Sequence, residues 1–177
     1  MKMIFAVALY SILCVASARA QQPSGAQKGD KKDSQEMCPM HDAHSQMNER
    51  GEKGMGFSQT ATTYHFFLTP DGGVIQVEAN DPTDDANRKN IRMHLGHIAQ
   101  AFQDGDFDIP MFVHDKIPPG VPEMKNLRKT IRYSFEETPN GGRVVIVSAD
   151  KNALDAIHRF LRFQIEEHKT RDLLEVQ

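Results

Sequence analysis

The stretch MCPMHDAHSQM, Met37 to Met47, carries three thioethers, one thiol and two imidazoles within eleven residues. Soft sulfur donors favour copper(I), and cysteine combined with histidine also suits zinc. Cys38, Met40, His41 and His44, in the spacing Cys-x2-His-x2-His, are therefore candidate ligands for a copper or zinc ion. A second set lies further along. His94 and His97 are three residues apart in a helical pattern, where side chains diverge by about 60°, and His114 follows in a connecting stretch. Three imidazoles with an open position would make a catalytic type of zinc or copper centre, activating water in a metal-dependent enzyme.

The remaining histidines have blander expectations. His158 falls on an inward helical stripe and is expected to be satisfied by a backbone carbonyl or a nearby carboxylate. His65 alternates with Phe66 on a strand and can face either layer. His168 ends a helix, where a cation suits the dipole.

The elements that must position these donors follow from composition and period. Residues 1–20 combine Lys2, an apolar run from Met3 to Ala16 and Ala18-Arg19-Ala20, the layout of a signal peptide cut after Ala20. That run is too short to span a bilayer, so no membrane span is expected after cleavage, and the product is periplasmic or secreted. Residues 21–56 are rich in Gln, Ser, Gly, Lys, Asp and Glu, with no aromatic until Phe57, and read as a flexible tether carrying the donor cluster.

Residues 57–177 then hold the core. YHFFLTPDGGVIQVEAND (Tyr64 to Asp81) and YSFEETPNGGRVVIVSAD (Tyr133 to Asp150) match at equal length, each a hairpin turning at Pro-Asp-Gly-Gly or Pro-Asn-Gly-Gly. A helix should follow each: one with the stripe Ile91, Leu95, Ile98, Phe102 ending at Gly105, the other capped by Asp150 with the stripe Leu154, Ile157, Leu161, Ile165. Two β-β-α units bury their apolar faces by pairing the hairpins, which predicts an α+β fold: a four-stranded antiparallel sheet with both helices on one face. The proline-rich stretch between the units is expected to be mostly extended, with a short edge strand at Met111 to His114 and a helical turn near Glu123 to Arg128.

The formal charge of −3 becomes −5 once Lys2 and Arg19 leave with the leader, which speaks against nucleic acid or anionic lipid as partners. With Cys14 inside the leader, Cys38 is the one cysteine left. It is free, paired between chains or bound to metal. A nucleophile elbow, a phosphate loop and a dinucleotide fingerprint are all missing, and Cys38 on an arm would lack fixed partners for catalysis. A third function class is a metal-free module whose open sheet face binds a partner.

Two resemblances bear on these expectations. Cys38 to His41, within MCPMHDAH, resembles the Cys-Pro-Met-His motif of heavy-metal-binding segments in copper and silver efflux adaptors and metal-pumping ATPases. It implies soft-metal ligands, although Met37 and Asp42 stand where that motif usually has Tyr or Thr and then Pro. MGFSQTATTYHFFLTPDGGVIQVEAND, IRMHLGHIAQAF, PMFVHDKIPPGVP and AIHRFLRFQIEEHKT are similar to a group of small exported bacterial proteins of undefined function. Some of that group carry the label aspartate carbamoyltransferase. Carbamoyltransferases are two-domain enzymes about twice this length with a Ser-Thr-Arg-Thr phosphate loop, and this chain has neither feature.

Overall fold

A computed structural model describes residues 39–177, with side chains from His44 onward. The expected leader and residues 21–38 of the expected tether lie outside these residues. The elements run α1 (Pro39–Met55), β1 (Thr62–Thr69), β2 (Gly72–Ala79), α2 (Asp85–Asp104), α3 (Asp108–His114), α4 (Val121–Asn126), β3 (Ile131–Thr138), β4 (Gly141–Ser148) and α5 (Lys151–His168). The four strands form one antiparallel sheet in the order β1-β2-β4-β3, so the fold is α+β, with two β-β-α units joined at β2 and β4.

The repeat is reproduced in the register. Ile75 and Val144 occupy equivalent places in the two units and pair directly, so a pseudo-twofold axis passes between them. The turns exchange matching bonds: Asn140 O accepts from Ala79 N, and Asp71 O accepts from Ser148 N, each at 2.9 Å. Alternate strand positions (Phe66, Leu68, Ile75, Val77, Val144, Ile146) join the stripes of α2 and α5 in one core. Each helix crosses to the other unit, α2 packing mainly on β4 and β3, and α5 mainly on β1 and β2. Asp84 caps α2, Gly105 ends it in the left-handed conformation (φ 83°), and Asp150 caps α5, as the residue types dictate.

The paired glycines have a second use besides the turn. A Cβ on Gly72 would sit 1.9 Å from Ile146 O, and one on the equivalent Gly141 would sit 2.1 Å from Val77 O. Glycine is what lets the two hairpins close at the centre of the sheet. Gly72→Ala is expected to lower stability by about 2–3 kcal/mol, read as a shifted urea midpoint at unchanged slope.

Two expectations are corrected. Residues 39–55, placed in the tether, form helix α1: Met47 is buried, and Arg50 Nε donates to Val113 O at 2.9 Å. Composition weighs a segment alone and misses burial against a partner helix, here α3. Residues 111–114 are helical within α3 and form no edge strand. Asp106 accepts from Asp108 N at 2.9 Å to start that helix, and Pro110 sits in its first turn, where its missing N–H costs nothing. One sheet edge is moreover already engaged, since Asp172 accepts from Phe66 N and Gln177 N donates to Leu68 O. The helical turn expected near Glu123 appears as α4.

Candidate functional site

A cavity of about 70 Å³ lies between the sheet and helices α2, α3 and α5, with Met55 from the end of α1 on its wall. One water needs about 10–15 Å³, so the space suits a few waters or a small guest. Much of the wall is apolar, including Phe66, Val77, Leu95 and Phe160. Its polar groups are His94, His114, His168, Gln164 and Tyr64, and no carboxylate lines it.

Each imidazole arrives for a local reason. His94 precedes Leu95 on the flank of the α2 stripe, half-buried, with its ring edge-on to Phe57 at 5.6 Å. Burial, assisted by His97, pushes its pKa down to about 4. His114 is the last residue of α3 and is only 6 % exposed. Its Nε2 lies 2.9 Å from Gln164 Oε1, while Nδ1 has no hydrogen-bond partner and sits 3.7 Å from Glu167 Oε2. Burial lowers its pKa, opposed by the Gln164 bond and the Glu167 charge. His168 ends α5, stacked on Tyr64 at 5.3 Å and perpendicular to His114 at 5.1 Å. Burial, with His114 and His44 adding to it, takes its pKa to about 3. The expected helix-end cation is therefore a neutral ring at neutral pH. Burial of aromatic surface outweighs the dipole, which is worth at most about 2 kcal/mol.

The structure sorts the histidines named from the sequence. His94 and His114 share the cavity, but His97 is exposed on α2 and does not join them, because a three-residue step rotates it off the inward flank. Among the described residues, no group of three or more His, Cys, Asp or Glu side chains is arranged to hold a metal ion. His158 Nε2 lies 3.0 Å from both Thr69 O and Gly72 O, so of its two expected partners it takes backbone carbonyls, and it ties α5 to the first turn. His65 bonds Asp172 through Nδ1 at 2.9 Å.

Of the N-terminal donors, Cys38 and the side chains of Met40 and His41 lie outside the described residues. His44 is half-buried and accepts the Asn48 amide at 3.4 Å. It lines two surface grooves, one shared with His114 and Glu167, the other with Tyr64 and His168.

Sequence reasoning missed His168, Gln164, Tyr64 and Met55 as members of one site. A signal for two of them was present: Gln164 and His168 are four apart beside the stripe ending in Ile165, so they share a helix face. Tyr64 donates its hydroxyl to Gln59 Oε1 at 2.7 Å, and burial pushes that hydroxyl above the usual tyrosine range. Comparison with protein-family models, with curated proteins and with solved structures finds no match.

Proposed function

We propose that this chain is an exported protein that binds a soft or borderline transition metal ion, copper or zinc, captured first by Cys38, Met40, His41 and His44. One observation carries the reading. Helix α1 starts inside the donor motif and packs on the domain, so that His44 shares the walls of one groove with His114 and of another with His168. Residues 39–44 thus open a helix packed on α3, and an ion captured by the motif is held close to a folded body. Capture by Cys38 requires its thiolate, so binding releases a proton.

Titration of residues 21–177 with copper(I) against a competing chelator, and with zinc, tests this reading. Cys38→Ser/His41→Ala is expected to weaken copper(I) capture at least tenfold and to abolish the proton release. Equal affinity and equal proton release in the double variant would remove the motif from the account.

A further inference from the structure

We propose that the cavity between the sheet and α2, α3 and α5 binds a small uncharged molecule with an apolar body and a single oxygen acceptor, which takes a hydrogen bond from Gln164. A short ketone is the simplest member of that class. The inference uses neither the N-terminal donors nor a metal ion, so it stands or falls separately from the metal-binding reading above.

The donor follows from the hydrogen bonds along the cavity wall. Gln164 lines the cavity, is only 4 % exposed, and its Oε1 accepts from His114 Nε2 at 2.9 Å. The Nε2 at the other corner of the same carboxamide has no hydrogen-bond partner among the described residues. Buried amide groups normally have partners, because a donor left without one has lost its hydration and gained nothing in return. The neighbouring polar groups are engaged elsewhere. Tyr64 donates its hydroxyl hydrogen to Gln59 Oε1 at 2.7 Å, and His114 Nδ1 faces Glu167, 3.7 Å away. What the wall offers a guest is therefore an N–H, and the guest must accept it.

The rest of the lining sets the body of the guest. Leu95, Ile98, Phe102 and Phe160 give it apolar walls. No Asp, Glu, Lys or Arg is among the lining residues, and burial keeps the His94 and His168 rings neutral at pH 7. An ion would lose its hydration here without meeting a counter-charge, which excludes carboxylates and ammonium groups.

Size is the second limit. An apolar cavity of about 150 Å³ admits benzene. At about 70 Å³ this one admits a body of roughly three or four heavy atoms. Half-buried Met55 and Ile109 form part of the wall, and Met55 Sδ has a long contact, 3.8 Å, with the Tyr64 hydroxyl. An unbranched methionine with three rotatable bonds swings aside readily, which gives a small guest a way in. Four heavy atoms limit the affinity to a Kd of roughly 40 µM at best.

The test uses isotope-labelled residues 21–177 without metal, titrated with acetone through the millimolar range. The side-chain amide resonances of Gln164 and the methyl resonances of Leu95 and Ile98 should move together and saturate with one Kd. Acetate, equal in heavy atoms but charged, should bind about tenfold more weakly or worse. Xenon, which has no acceptor, should move the same methyl resonances and leave the Gln164 amide in place. Gln164→Leu should weaken acetone about fivefold or more while keeping the xenon shifts. Since that variant can fail to fold, the comparison of acetone, acetate and xenon on the unaltered chain decides by itself.

Acetone shifts that never saturate, or that spare the Leu95 and Ile98 methyls, overturn the site. Methyl shifts with an unmoved Gln164 amide overturn the assigned donor, and acetate binding as well as acetone overturns the uncharged class. None of these results bears on copper(I) capture by Cys38 and His41, which is read in a separate titration.

Discussion

Acidifying the metal-free protein from pH 7 to pH 5 lowers its unfolding free energy by about 4 kcal/mol, about 2 from each of two rings. The rings are His94, with its pKa near 4, and His168, with its pKa near 3. Above pH 6.5 both are neutral in folded and unfolded chains and contribute nothing. Below that value the unfolded chain takes up protons that the folded protein refuses, so stability drains as pH falls toward the folded pKa values. The surroundings support this sign, since His94 faces His97, and His168 faces His114 and His44, all bases. His114 shifts in the same direction, held back by Glu167.

Against a total of about 5–15 kcal/mol for a typical domain, this is a large share, equivalent to roughly 10 °C in Tm. Urea unfolding at pH 7, 6 and 5 measures it, and His168→Leu should remove about half of the slope. A flat profile would mean that the rings are solvated, and the cavity would lose its special character.

Replacing Phe107 by alanine is expected to cost about 3–5 kcal/mol, the usual range for an aromatic removed from a core. Phe107 is fully buried, stacks on Phe102 at 4.3 Å and meets Phe160 edge-on at 6.2 Å. It also stands at the N-cap of α3, which has no side-chain cap bond, so this ring anchors the helix that ends at His114. The same substitution should therefore disturb the His114–Gln164 bond in the cavity. Chemical denaturation gives the first effect, and the His114 ring-nitrogen resonances give the second. A cost under about 1 kcal/mol, well below that core range, would show that α3 is held mainly by other contacts, such as Arg50 to Val113 O.

The parts legible in the sequence were those set by local rules. Thr-Pro-x-Gly-Gly announced two hairpins, and four-three-four apolar spacing announced α2 and α5. Asp150 and Gly105 announced helix ends, and the inward position of His158 announced a partner, either a backbone carbonyl or a carboxylate. What stayed hidden depended on neighbours distant in the chain. Helix α1 exists because Met47 and Arg50 meet α3, and α3 is helical where an isolated reading saw a strand.

The histidines divide along the same line. A helical period shows that His94 flanks a buried stripe, because that is a property of a single element. It cannot show that His114 and His168, from two other helix ends, would reach the same space, or that His97 would be left in solvent. By itself, then, the sequence determined the duplicated α+β architecture and the soft donors near the N-terminus, since both rest on period and residue type. Only the tertiary structure decided which imidazoles lose their water and share one cavity, because desolvation depends on the packing of three helices and a sheet.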